Sequence, residues 1–163
     1  IVRRLVGSEM CIRDRCSGFR ISKTGTSLDM IHPAAAKVME GDGSVRSKYG
    51  FFVKKASDGK CEIEMNVLSD WINAAGYTHG SVAYAIMDSA CAYASASLNK
   101  LAVTINGNIN YTKGTKVGDR LLAVAELQTQ SAKLMTFAGR VIDQDERTIA
   151  TGSFLFQVLG DRD

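Results

Sequence analysis

Residues 61–67, CEIEMNV, alternate without a break: Cys61, Ile63, Met65 and Val67 on one face, Glu62, Glu64 and Asn66 on the other. This is the period-two pattern of a strand with one buried side. Just upstream, Tyr49, Phe51 and Val53 alternate in SKYGFFVKK, and DGK at 58–60 predicts a hairpin turn between the two runs. Before them, SLDMIHPAAAKVM (27–39) predicts a short helix, with Pro33 in its first turn and EGDGS ending it. A loop rich in Asn, Gly and Ala (70–78) then leads to a long helix at about 80–98. Its Ala83, Ala85, Ile86, Met87, Ala90, Ala92, Ala94 and Ala96 make it apolar nearly all round, which predicts burial on most sides. Three or four more strands complete the chain, at about 101–111, 120–131, 134–143 and 147–158, with polar DQDER (143–147) as a hairpin connection. In LAVTINGNINY, Leu101, Val103, Ile105, Ile109 and Tyr111 are expected on one face, against Thr104, Asn106, Asn108 and Asn110 on the other.

An antiparallel sheet has one face to bury, and an all-round apolar helix needs cover. An antiparallel β-sheet wrapped around the long central helix satisfies both, so the expected class is α+β. The 163 residues suit one domain, placed at 30–160, and no repeat or linker suggests a second.

Composition changes little. Apolar residues make up 45% and charged residues 23%, ordinary for a globular chain. The formal charge of +3 is carried by residues 1–29, where Arg3, Arg4, Arg13, Arg15, Arg20 and Lys23 outnumber Glu9, Asp14 and Asp29. The remainder is neutral, which removes the electrostatic case for nucleic acid. VRRLVGSEMCIRDR resembles translated sequencing-adapter read-through. Residues 1–16 are therefore set aside, and 1–29 are expected to be an artefactual or disordered extension. Glu9 and Asp14 speak against a targeting peptide, a class poor in acids. Of the four cysteines, none forms a CxxC pair and no His lies at a zinc spacing, so neither a metal nor a bound cofactor is expected. Cys61 and Cys91 read as reduced core thiols, which suggests a cytoplasmic setting. Residues 80–98 approach membrane-spanning length, but Asp88 is central and Ser81, Ser89, Ser95 and Ser97 interrupt the stretch.

That aspartate is the candidate for chemistry. Asp88 is the only charged residue in the 29 positions between Asp70 and Lys100. Burying an unpaired carboxylate among alanines costs several kcal/mol or more, about which a purely structural helix has no reason to compromise. Eight residues earlier the helix begins at His79-Gly80, where free amides carry partial positive charge and can hold an oxyanion. Gly80 lets a carbonyl approach its N–H closely. The two groups are about 12 Å apart along one helix axis, too far to serve one substrate, so a symmetric partner is expected to close the gap.

NAAGYTHGSVAYAIMDSACAYAS resembles the signature of hotdog-fold acyl-CoA thioesterases of the phenylacetate-pathway (PaaI) type: an Asn, a short loop, His-Gly-Gly, then a helical Asp. VTINGNINYTKGTKVGDRL resembles that family's next strand and its Gly-Asp turn, here Gly118-Asp119, so the likeness covers about residues 45–158. Ser81 stands where the family pattern has its second glycine. The resemblance implies the hotdog fold, hydrolysis of an acyl-CoA substrate, and a homo-oligomer, dimer or tetramer, with shared active sites and no nucleic-acid or membrane partner. It implies Asp88 as general base or nucleophile and the Gly80 N–H as the group polarising the thioester carbonyl. It further implies Asn73 orienting substrate or water, Thr104 assisting the water or the carboxylate, and His79 shaping the turn.

The residues leave rivals open. Asp88 could be a structural carboxylate, Asn73 a turn cap, and His79 structural rather than acid–base. Lys113, Lys116 and Arg120 could meet coenzyme A phosphates or form a solvated edge, and His32 beside Pro33 is expected at the surface. A hotdog dehydratase or hydratase would pair a His with the helical carboxylate, and a non-catalytic acyl-CoA-binding module could dispense with the carboxylate altogether.

Overall fold

The computed structural model describes residues 30–162; the expected extension at 1–29 lies outside them. Two short helices come first, α1 (Pro33–Gly41) and α2 (Gly43–Tyr49). The hairpin β1 (Phe51–Ser57) and β2 (Lys60–Asn66) follows, then the long helix α3 (Gly80–Ala96). Four strands close the chain: β3 (Lys100–Tyr111), β4 (Arg120–Gln130), β5 (Leu134–Ile142) and β6 (Thr148–Asp161). All six strands form one sheet, in the order β1-β2-β4-β5-β6-β3, with every neighbouring pair antiparallel. The sheet wraps one face around α3, the α+β arrangement the hydrophobic pattern predicts.

The β1–β2 turn forms as expected, with Asp58 and Gly59 both at positive φ, the geometry whose twist suits a two-residue hairpin. Cys61, Ile63, Met65 and Val67 all point into the core. They meet Val82, Ile86, Met87, Ala90, Cys91 and Ala94 of α3, with Phe137, Phe154 and Phe156 from the opposite end of the sheet. Each fully buried Ile, Met or Phe contributes about 1.5–3 kcal/mol, and Tyr93, Ile86 and Met87 make α3 the centre of that core.

Three expectations change. EGDGS ends α1 at Gly41 as expected, but a second helix, α2, begins within it, so Tyr49 lies on a helix rather than on the β1 strand face and stacks on Trp71 with ring centroids 4.7 Å apart. His32 is not a bare surface residue; its Nδ1 caps α1 by accepting from the Ala34 amide at 3.2 Å. The α3 helix is buried on most sides, as expected, and only one side carries exposed Ser81 and half-exposed Ala85, Ser89 and Ala92. Most consequential, the alternation of β3 changes phase. Its pairing with β6 slips between Thr104 and Asn106, leaving Ile105 as an extra residue. A bulge of this kind carries two neighbours to the same side. Leu101, Val103 and Ile105 therefore share the exposed side with Asn106, Asn108 and Asn110, while Thr104 turns to the helix side with Ile109 and Tyr111.

Candidate active site

The first half of the site is the start of α3. The preceding loop is pinned at several points: His79 N–H donates to the Trp71 carbonyl at 2.7 Å and Thr78 N–H to that of Thr115 at 2.8 Å. The Thr115 hydroxyl also donates to Thr78 Oγ1. Asn73 closes the 73–77 turn, its Oδ1 accepting from the amides of Ala75 (2.9 Å) and Tyr77 (3.2 Å), which leaves its side-chain NH2 outside that turn's bonding. His79 is the N-cap: its Nδ1 accepts from the Ser81 amide at 3.1 Å and lies 2.7 Å from the Ser81 hydroxyl. Ser81 sits in ordinary helical backbone, so the departure from a second glycine carries no strain. Gly80 is the first residue of α3.

The second half is Asp88, two turns on and half-buried, with the Thr104 hydroxyl donating to its Oδ1 at 2.7 Å. It is thus not an unpartnered carboxylate among alanines. Burial pushes its pKa up, and the Thr104 hydrogen bond pulls part of the way back, leaving it above the ordinary aspartate value.

One face of α3, at 80, 84 and 88, runs along β3. Tyr111 Oη donates to the Gly80 carbonyl at 2.8 Å, and a Cβ at Gly80 would lie 3.1 Å from the Tyr111 ring. One turn on, Tyr84 lies over Gly107, where a side chain would collide with its hydroxyl and would come within 2.9 Å of Phe154. At the next turn Thr104 meets Asp88. The helix and the edge strand therefore form a seam, with glycine wherever an aromatic ring crosses it.

An open cleft of about 640 Å³ lies at the helix start, lined by Asn73, Tyr77, Thr78, Gly80, Tyr111, Thr112, Lys113 and Gly114. Asp88 and Thr104 are absent from its walls. The structure thus brings Asn73 and Gly80 to one cleft, with His79 capping the helix beside it, and brings Asp88 to Thr104, and it keeps the two groups apart within one chain. Sequence reasoning missed Tyr77, Tyr84 and Tyr111; the spacing of Gly80, Tyr84 and Asp88 by fours was the available signal for the middle one. Lys113 is the one charged residue lining the cleft, while Lys116 sits over the Tyr77 ring, 5.8 Å from its centroid. Arg120 lies on the far side of the sheet, in a polar groove with Lys54, Glu64, Asp143 and Gln144. Among the described residues no three His, Cys, Asp or Glu side chains gather as a metal site would require, and no helix is long and apolar enough to cross a membrane.

A six-stranded antiparallel sheet wrapped on one long helix, with a carboxylate and a glycine-led N-terminus on that helix, defines a hotdog protein. Comparison with known proteins is specific. The Thioesterase superfamily model matches residues 75–150. Acyl-coenzyme A thioesterase PaaI of Escherichia coli is 24% identical over 116 residues, 71% of this chain and 82% of that one. Its structure superposes with a TM-score of 0.75 at 22% identity, over 78% of this chain and 93% of that one. A hypothetical thioesterase of Streptococcus pneumoniae, solved with coenzyme A, gives a TM-score of 0.73 at 23% identity, over 77% and 99%. A candidate esterase of Archaeoglobus fulgidus is 32% identical over 98 residues, 60% of this chain; the match spans 64% of its own length, just under two thirds. The chain is thus similar to the thioesterase superfamily over residues 75–150 and has the hotdog fold of the PaaI structure.

Proposed function

We propose that the protein hydrolyses acyl-CoA thioesters to a free acid and coenzyme A, in a homo-oligomer whose sites are completed across subunits. The observation that carries this reading is the half-buried Asp88, held by Thr104 on one seam with the glycine-led helix start. In the reaction, Asp88 takes a proton from water as its oxygen attacks the thioester carbonyl. The tetrahedral oxyanion is held by the Gly80 N–H of a partner copy; its collapse breaks the C–S bond, and the proton held on Asp88 passes to the leaving sulfur, which releases the thiol and restores the carboxylate. A carboxylate pKa raised by burial suits a general base, since such a group works best with a pKa near the operating pH. The side-chain NH2 of Asn73 would orient the carbonyl or the water. His79 would set the helix start.

The comparisons support the substrate class. The S. pneumoniae protein was solved with coenzyme A, and a Streptococcus mutans protein, 26% identical, with acetyl CoA. The S. pneumoniae protein was also solved with an aspartate and, separately, a threonine replaced by alanine, and those two positions are sixteen residues apart. Asp88 and Thr104 have the same separation. The dehydratase reading loses support because His32 and His79 each cap a helix and neither bonds Asp88 within the chain. The separation of the cleft from Asp88 favours a dimer or a dimer of dimers. Free, buried Cys61 and Cys91 fit a cytoplasmic setting.

The test is thiol release from a panel of acyl-CoAs by wild type and Asp88→Asn. Turnover of the variant should fall by about 10²–10⁴-fold, the usual contribution of a positioned acid–base group, with the fold retained by circular dichroism. A variant within fivefold of wild type, or a wild type that hydrates enoyl-CoA and releases no thiol, overturns the proposal.

A further inference from the structure

We infer that Tyr111 is a positioning residue for the helix start: its hydroxyl acts through the Gly80–Ser81 peptide on His79 and fixes the free Gly80 N–H at the cleft. The inference rests on the hydrolytic reading above, in which that N–H meets the thioester carbonyl, and adds a residue to it.

The amides around the start of α3 are nearly all taken. Thr78 N–H donates to the Thr115 carbonyl at 2.8 Å and His79 N–H to that of Trp71 at 2.7 Å. Ser81 N–H goes to His79 Nδ1 at 3.1 Å, and Val82 N–H to the His79 carbonyl at 3.0 Å. Between them, the Gly80 N–H has no acceptor among the described residues, and Gly80 lines the cleft. A donor of this kind stabilises an oxyanion only if it is held in place before the charge develops. The peptide that carries it joins His79 to Gly80, so both residues have to be fixed. Glycine, with the widest backbone freedom, is the one that needs outside support.

Tyr111 supplies that support. Its Oη donates to the Gly80 carbonyl at 2.8 Å. The tip of its ring lies so close that a Cβ on Gly80 would stand 3.1 Å from both Cζ and Oη, so a side chain there would press on the ring. The tyrosine is itself anchored, because its backbone pairs with Ala150 of β6.

The Gly80 carbonyl and the Ser81 N–H belong to one peptide group. A hydrogen bond to that carbonyl polarises the group and makes its N–H a stronger donor. The bonds therefore run in series from the Tyr111 hydroxyl through the Gly80–Ser81 peptide to His79 Nδ1. The Ser81 hydroxyl, 2.7 Å from the same nitrogen, adds a second contact. With Nδ1 accepting, neutral His79 carries its proton on Nε2. The His79–Gly80 peptide is thus held at both ends, by the ring and N–H of His79 on one side and by the Gly80 carbonyl on the other. Asp88 takes no part in this series; its bond is to Thr104.

Tyr111→Phe removes the hydroxyl and keeps the ring. In the full chain, kcat for thiol release should fall about tenfold, the scale of one lost hydrogen bond and less than the roughly 10²–10³ of a lost oxyanion donor. KM and the acid limb of kcat/KM should hold. Histidine ring-nitrogen NMR reads the link without substrate. His79 Nδ1 should move toward the shift of an unbonded nitrogen, while His32 Nδ1, which accepts from the Ala34 N–H at 3.2 Å in α1, stays as the internal reference. An unmoved His79 signal overturns the inference. So does a lowered Tm with kcat intact, or a raised KM at constant kcat. Absence of thiol release by wild type, with the His79 shift observed, would instead overturn the hydrolytic reading and uphold the link.

Discussion

Replacing Thr104 with Val tests the central pair most closely. The substitution deletes the hydroxyl that donates to Asp88 Oδ1 at 2.7 Å and leaves the backbone of β3 in place. A hydrogen bond to a charged group contributes about 1.5–3 kcal/mol, and the half-exposure of Asp88 argues for the lower end. About 1.5 kcal/mol is close to tenfold in an ionisation equilibrium, or about one pH unit. The sign follows from which form is bonded. Thr104 stabilises the carboxylate against the burial that already raises its pKa, so without it Asp88 keeps its proton to higher pH. The acid limb of kcat/KM for thiol release should therefore move up by about one pH unit, with the alkaline plateau much less affected. Because kcat/KM reports the free enzyme, the limb reads Asp88 before substrate arrives. An acid limb unmoved within error, with the variant folded, would show that the Thr104–Asp88 bond does not govern the base.

Two further outcomes are expected. Because the folded-state pKa of Asp88 is raised, its contribution to stability is present below the ordinary aspartate value and is lost as pH rises through the folded value; thermal melts across that window should show the fall in wild type and its absence in Asp88→Asn. Gly107→Ala drives a methyl into Tyr84 and Phe154 and should cost about 1–3 kcal/mol, seen as a lower Tm, and a melt unchanged from wild type would show that Tyr84 does not lie across that glycine.

What the sequence determined by itself is whatever consecutive residues encode. The alternation of CEIEMNV set the buried face of β2, Asp58-Gly59 set its turn, and the apolar run from Val82 to Ala96 set the long helix. The lone charge on that helix marked Asp88 as the candidate for chemistry, and its spacing from His79 raised the expectation of a site shared between copies. The partnership of Thr104 with Asp88 was available only through family resemblance, because strict alternation puts Thr104 with the asparagines. Tertiary structure decided that point. The bulge at Ile105 arises where β3 pairs with β6, fifty residues away in sequence, and the phase of a strand beyond a bulge is a property of the pair rather than of either run alone. The seam has the same origin. Tyr111 reaches Gly80 and Tyr84 crosses Gly107 only because the edge strand is laid along one face of α3, and a contact between segments that the chain separates leaves no periodic trace in either.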